Sequence, residues 1–211
     1  MASPSTIDYR NSAFEIANLT RIHGEPNFES IRTLQREIII NAQCVHSDLG
    51  GGTHGHLGLV LSPQEYALHS DAAYRKPTHP GAIVIPPGTT NHLANIYREQ
   101  HRERLRVFRE AQAVEQALRQ QIVTAIEPQY LEAFREPATG QINDNVHQLI
   151  KKLYQRYGRV TPQKLQEQEE KIRWMVYDPI NPIDSIFTAI DELVHYADAA
   201  QSPYSCWNFH S

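Results

Sequence analysis

The sequence predicts a mainly α-helical fold with a Gly/Pro-rich extended segment near its N-terminus. Through most of the chain, apolar residues recur at spacings of three and four, which is the periodicity of an amphipathic helix. Helix breakers are concentrated in residues 50–88. The chain has 211 residues, of which 40% are hydrophobic, so it can bury a core, and this excludes disorder over the full length.

The formal charge is mildly acidic, with 20 Lys and Arg residues against 24 Asp and Glu residues. This balance argues against the broad basic surface of a dedicated nucleic-acid binder, but it is compatible with one local basic patch. No stretch approaches the ~18 apolar residues of a membrane span, and the N-terminus lacks the pattern of a signal peptide. We therefore expect a cytoplasmic protein without a membrane partner. Two cysteines, Cys44 and Cys206, form neither a disulfide scaffold nor a four-thiolate zinc site.

The first element follows a polar N-terminal stretch. Residues 1–27 contain scattered Pro and Gly, and we expect a flexible arm there, with a short ordered piece over residues 14–19. An amphipathic face then predicts a helix over residues 28–43. Its apolar positions are Phe28, Ile31, Leu34, Ile38 and Ile39.

The segment 50–88 is predicted to be the least helical part of the chain. The apolar run 57–61 is typical of either a strand or a buried extended segment, and periodicity does not decide between them. Ser62 and Glu65 have the spacing of a capping box, so a short helix is predicted over residues 63–69. A second short strand is predicted at residues 83–85.

A long helical pattern begins at Thr90, and no proline or glycine interrupts it before Pro128. A straight helix of this length would measure roughly 55 Å. Helices that long bend in small domains, so we expect a kink or two helices. Pro128 opens another short helix through Phe134.

Three further helices are predicted in the C-terminal third. The strongest stripe runs from Val146 to Tyr157, with Asn143 as the expected N-cap and Gly158 at the C-terminal end. Two cap-then-proline signals, Thr161-Pro162 and Asn181-Pro182, begin the last two helices. The total is roughly six or seven helices.

The predicted organisation has two helical lobes joined by a hinge near Gly140. The first lobe spans residues 28–140 and includes the extended segment 50–88. The second lobe spans residues 141–205, and residues 206–211 form an irregular tail.

The histidines of the Gly-rich segment are the first candidates for chemistry. His54 and His56 would share one face of a strand, and two imidazoles on one face can hold a metal ion. A third ligand is available nearby in the sequence from His46, His69 or His79. A metal-dependent enzyme is therefore one alternative. The other interpretation, which we favour, is that these histidines are hydrogen-bonding residues of a Gly-rich loop.

The densest basic stretch lies within the long helix. Its arginines are Arg98, Arg102, Arg104, Arg106 and Arg109. Glutamates are interleaved at a spacing of three, which favours a salt-bridged solvated face. A patch that contacts the phosphates of a nucleic acid, and thus an RNA-binding module, is the alternative. No set of Ser, His and Asp or of Cys and His stands out elsewhere, so the sequence predicts no enzyme, no cofactor and no small-molecule substrate.

Several separate motifs, in order from about residue 28 to 205, resemble one family. The first is Gly50-Gly51-Gly52-Thr53-His54-Gly55-His56-Leu57-Gly58-Leu59-Val60, followed by Tyr66 and Pro77-Thr78-His79-Pro80-Gly81. The C-terminal motifs are Tyr157-Gly158-Arg159-Val160-Thr161, Tyr177-Asp178-Pro179, Pro182-Ile183, Ala197, Ala200 and Pro203-Tyr204. Together they resemble the Gag polyprotein of copia-type LTR retrotransposons.

The resemblance implies a capsid-like structural protein with helical lobes related to those of retroviral capsids. Such a protein self-associates into virus-like particles that enclose the RNA of the element. We therefore expect the chain to be its own partner, with RNA as a weak second partner. Aromatic residues are enriched in interfaces, which makes Trp174 and Tyr177 candidates for self-association.

The sequence departs from a complete Gag at its C-terminus. It contains no CCHC zinc knuckle and no basic tail, and the residues after Pro203-Tyr204-Ser205 differ from the further helix with which the family continues. We therefore expect a truncated or degenerated copy, or a fragment, and the resemblance does not carry RNA packaging or particle closure over to this chain.

Overall fold

The computed structural model describes residues 13–176 and 182–200, and these are mainly helical. The described residues form seven α-helices: α1 (Phe28–Cys44), α2 (Pro63–Tyr66), α3 (Asn91–Ala125), α4 (Pro128–Leu131), α5 (Val146–Tyr157), α6 (Pro162–Arg173) and α7 (Asp184–Ala199). Single 3-10 turns lie at Leu49–Gly51, Leu57–Leu59 and Glu132–Phe134. No β-strand occurs in these two ranges, which confirms the predicted all-α class.

The helix predicted over residues 28–43 is confirmed as α1. Asn27 caps it, since its side chain accepts a hydrogen bond from the backbone N–H of Ser30 while the Ser30 hydroxyl accepts from the backbone N–H of Asn27. The face that carries Ile31, Leu34 and Ile38 is fully buried. These side chains face α3 and α5, so α1 lies at the centre of the fold.

The long helical pattern forms a single helix rather than two. Thr90 caps α3, which continues for 35 residues to Ala125. No proline or glycine interrupts it, and these are the residues that most often break a helix. The C-terminal half is buried against α1 along one stripe, whereas most of the residues before position 105 are exposed.

The predicted lobe boundary lies near Gly140, and one cluster of buried side chains extends on both sides of this position. Leu149 and Leu153 of α5 are fully buried in the same core as the apolar faces of α1 and α3. Residues 137–140 form only a turn, in which Gly140 has a φ of 66° and its carbonyl oxygen accepts a hydrogen bond from Arg135. The second core belongs to α6 and α7, and the division falls after α5.

The second core contains five buried residues: Val160, Leu165, Leu193, Tyr196 and Ala197. It rests on the first turns of α1. The ring of Tyr196 packs against Phe28 with centroids 4.8 Å apart, and its hydroxyl donates a hydrogen bond to Glu29. Glu192 lies 3.6 Å from Arg36. The α6–α7 hairpin is therefore anchored at the N-terminal end of α1.

Residues 13–27, for which the sequence predicts a flexible arm, contribute buried side chains to the core. Phe14, Leu19 and Ile22 are buried. The backbone N–H of Ile22 donates to the carbonyl of Ala125 at 2.8 Å. The weak apolar pattern of this stretch gave too little periodic signal, because its residues are placed by partners far away in the sequence. The ordered piece predicted over residues 14–19 is part of this packing.

The segment 50–88 is irregular. The apolar run whose sequence is compatible with a strand or a buried extended segment contains a buried 3-10 turn, Leu57–Leu59, and the strand predicted at residues 83–85 is absent, with Ile83 and Val84 exposed. A strand needs a partner for its backbone groups, and no strand pairs with either run among the described residues. The capping box of Ser62 and Glu65 is confirmed, although α2 ends at Tyr66 rather than at residue 69.

Local signals fixed most helix ends to within two residues. Asn145 caps α5 in place of the predicted Asn143, whose side chain instead donates a hydrogen bond to Glu136 at 2.7 Å. Gly158 ends α5 and Thr161 caps α6, as predicted. The cap predicted at Asn181 and the tail predicted over residues 206–211 lie outside the described residues.

Candidate self-association surface

Helix α7 carries apolar side chains on two faces. The inner face, with Leu193, Tyr196 and Ala197, is buried against α6 and α1. The other face is exposed, and we define the α7 outer face by four residues that follow one helical stripe. They are Ile183, Phe187, Ile190 and Val194, with exposures of 59, 59, 43 and 43%. Their spacing of four, three and four gives one continuous apolar surface.

The end of α6 adds further exposed apolar side chains to the same hairpin. Trp174 is 78% exposed and Val176 is 88% exposed, and Met175 lies between them. Trp174, a predicted self-association residue, is thus available to a partner. Tyr177, the second such prediction, lies outside the described residues.

Two tyrosines of α5 are occupied in the interior. Tyr154 is partly buried and its hydroxyl donates to Gln35 at 2.9 Å, while Tyr157 donates to the carbonyl of Tyr130 at 2.8 Å. Burial raises the pKa of Tyr154 to about 12. Both rings pack against the first core, so they do not belong to the exposed surface.

The predicted arginine stretch lies on the exposed half of α3, and the helix itself neutralises part of it. Arg102 pairs with Glu99 at 2.6 Å. Arg106 pairs with Glu103 and Glu110, both at 2.8 Å, and these carboxylates raise the pKa of the guanidinium above its ordinary value. The predicted salt-bridged face is therefore present.

The remaining arginines of the stretch differ in their surroundings. Arg98 donates to the neutral side chain of Asn95, at 2.8 Å. Arg104 and Arg109 are exposed and make no hydrogen bond or ion pair within the part of the chain that the structure describes. Apolar residues share this half of the helix, since Leu93, Ile96 and Tyr97 have exposures of 48, 39 and 39%. We call residues 91–109 the α3 arm.

The histidines of the Gly-rich loop are held in different environments. Nε2 of His54 donates to the carbonyl oxygen of His69 at 2.9 Å, whereas His56 is 1% exposed and its Nδ1 lies 3.1 Å from the Tyr74 hydroxyl. Burial lowers the pKa of His56 to about 4, so its ring is neutral at pH 7.

The predicted alternative of a shared metal site is not supported by this geometry. His56 Nε2 is buried without a hydrogen-bond partner. Across residues 13–176 and 182–200, no three His, Cys, Asp or Glu side chains are grouped as metal ligands. His46 instead lies 3.4 Å from Asp48, and the ring of His79 packs on Phe108. The rings of His54 and His56 act in the loop as hydrogen-bonding groups.

The α7 outer face was missed by the sequence analysis, although a signal for it was present. The apolar positions of the last helix cover more of its circumference than one stripe, and a helix that is apolar on several faces needs more than one neighbour. Counting the faces separately would have marked the second face as a contact surface.

No protein-family model, curated protein or solved structure matches this chain. The described helices also include none with the length and apolar content needed to cross a membrane.

Proposed function

We propose that this protein is a structural protein that self-associates, as a capsid-like Gag protein of a copia-type retrotransposon does. The observation that carries the proposal is the α7 outer face, a continuous stripe of four exposed apolar side chains. Soluble proteins expose single apolar residues commonly, but contiguous apolar patches mark interaction sites. The neighbouring Trp174 adds an aromatic residue of the kind enriched in interfaces.

The sequence motifs are the reason for proposing a Gag-like protein. They resemble those of copia-type Gag in their order, from the Gly-rich loop through Tyr157-Gly158-Arg159 to Pro203-Tyr204. In that family the protein associates with copies of itself. The mainly helical fold is compatible with such a role, in which repeated contacts between small helical units build a larger shell.

The test is the mass of the protein as a function of concentration. Light scattering from micromolar to millimolar concentration, with electron microscopy of the same samples, should show oligomers that grow with concentration. Replacing Ile190 with Lys should abolish this growth, because a charge at the centre of the stripe must be desolvated on contact. Leu68→Asp is the matched control, since Leu68 is 84% exposed and lies outside the face. A wild-type protein that stays monomeric throughout would reject the proposal.

RNA binding through the α3 arm is a second candidate function. It is favoured by the unpaired guanidinium groups of Arg104 and Arg109, although Arg102 and Arg106 are already paired with glutamates. Contacts to phosphates release counterions, so binding to a single-stranded RNA probe should weaken steeply with salt, and Arg104→Glu together with Arg109→Glu should abolish it. Binding that is absent, or that does not change with salt, would remove this candidate.

A further inference from the structure

The α7 outer face and the α3 arm belong to two helices that pack on α1. Helix α7 contacts the N-terminal half of α1, where Tyr196 packs against Phe28 and Glu192 pairs with Arg36. Helix α3 runs antiparallel to α1, because Gln121 bonds to Asn41 while Arg106 lines one small cavity with the loop after α1. The α3 arm therefore extends beyond the C-terminal end of α1.

Both surfaces expose apolar side chains. The described residues leave the α7 outer face and the apolar side chains of the α3 arm between 39 and 59% exposed. Exposed apolar surface of this kind is what a second molecule can cover.

The two surfaces carry opposite charge. Between Asn91 and Arg109 the sequence has five arginines and two glutamates. Helix α7 has neither lysine nor arginine, and its carboxylate Glu192 is already paired with Arg36 of α1. Within the described residues Asp184, Asp191 and Arg104 are exposed and form no ion pair. Charge of opposite sign around apolar centres is the arrangement of complementary interface partners.

We infer that the α7 outer face of one copy docks on the α3 arm of a second copy. The inference rests on the proposed function and deepens it by naming the contact. Phe187 and Ile190 of one molecule would meet Leu93, Ile96 and Tyr97 of the next, with Asp191 near the arginines. The contact is heterologous, because the two surfaces differ, and it therefore builds closed rings or open arrays rather than a single two-fold dimer.

A mixing experiment separates this contact from a symmetric one. One variant carries Phe187→Lys and keeps its α3 arm, and the other carries Tyr97→Glu and keeps its α7 outer face. Each variant alone should be monomeric, with a dissociation constant raised at least about 30-fold, the effect of losing an interface hot spot. The mixture should form a 1:1 heterodimer that does not grow, because only one competent pair of surfaces remains. Leu68→Asp should assemble as the wild type does.

A charge exchange tests the electrostatic part of the contact. Arg104→Glu alone and Asp191→Lys alone should each weaken self-association about fivefold, and high salt should weaken the wild type in the same direction. The chain that carries both changes restores opposite charge at every contact, so it should associate more tightly than either single variant. Lys151→Glu, an exposed charge reversal on α5, is the control.

Three outcomes would overturn the inference. If Tyr97→Glu assembles like the wild type while Phe187→Lys does not, α7 pairs with itself and only the proposed function survives. If Arg104→Glu changes RNA binding but not mass, the α3 arm contacts RNA instead of a second copy. If the wild type is monomeric at every concentration, both the contact and the proposed function are rejected. Circular dichroism of each variant should match that of the wild type, because Tyr97, Arg104, Phe187 and Asp191 are all exposed.

Discussion

The buried amide pair of Asn41 and Gln121 joins three parts of the chain and gives a sharp prediction about stability. Asn41 is fully buried, accepts a hydrogen bond from the backbone N–H of Ile16 and donates to the carbonyl of Ile16, both at 2.8 Å. It also donates to Oε1 of Gln121 at 2.9 Å. Replacing Asn41 with Leu preserves the size of the side chain and removes all three bonds.

The expected loss follows from the groups that are left without partners. The carbonyl of Ile16 keeps a bond from Gln121 Nε2 at 2.9 Å. The N–H of Ile16 and Oε1 of Gln121 keep none, and an unsatisfied buried polar group costs about 1–3 kcal/mol. Allowing for some relaxation, we expect the free energy of unfolding to fall by about 3 kcal/mol. That is a large share of the ~5–15 kcal/mol available to a typical domain.

Urea denaturation followed by circular dichroism measures this loss, at a protein concentration where the wild type is monomeric. Gln120→Leu is the matched control, because Gln120 is exposed on the neighbouring position of α3. The control should change stability by less than about 0.5 kcal/mol. A loss below about 1 kcal/mol in Asn41→Leu, or one equal to the control, would refute the view that this amide pair secures residues 13–27 to the core.

Three further predictions concern single positions. Gly55→Ala should destabilise the fold by at least about 3 kcal/mol in the same assay, because φ at Gly55 is 51° and a Cβ there would lie 2.5 Å from the carbonyl oxygen of Val45. The control Gly81→Ala, at a φ of 73° with open space around it, should cost only about 1 kcal/mol. The pKa of His56 is about 4 in the fold and 6.5 ordinarily, so folding favours the neutral ring. The free energy of unfolding should therefore fall by up to roughly 3 kcal/mol as the pH drops from 6.5 to 4. A pH series with His56→Gln should lack this fall. Trp174→Ala should leave the urea midpoint unchanged and weaken self-association in light scattering, whereas a lower midpoint would assign Trp174 to the core.

Helices with complete local signals were predictable from the sequence. The capping box at Ser62 and Glu65 and the stripe from Val146 to Tyr157 depend only on neighbours within a few positions, and both are present. The same locality explains the error at α5. Asn143 and Asn145 are both good caps, and only the contact of Asn143 with Glu136 decides between them.

Features set by distant contacts were not predictable in this way. An apolar run such as Leu57–Leu59 is compatible with either a strand or a turn. Its conformation is decided by packing under the end of α1, where the backbone N–H of His56 donates to the carbonyl of Ala42. Long-range packing also bears on the turn at Gly140. Its residues are typical of a hinge, and only the structure shows that Leu149 and Leu153 place α5 in the same core as α1 and α3.

The candidate surface was partly predictable. Trp174 and the arginines were identified by residue type, and the structure places them on the surface. The α7 outer face needed the structure, because only the docking of Tyr196 on Phe28 shows which stripe of α7 is occupied and which is free. The proposed complementarity depends on which side chains of the two helices are exposed, and no sequence pattern reports that.

The pairing of residues 13–27 with α3 has a consequence for the order in which the chain folds. Ile16 and Ile22 bond to Gln121 and Ala125, more than a hundred positions later, so these contacts have a high contact order. During synthesis this stretch emerges first, and its bonds to Gln121 and Ala125 form only after α3 has left the ribosome. Its contacts with α1, such as the bonds between Ile16 and Asn41, are available about eighty residues of synthesis earlier than those with α3.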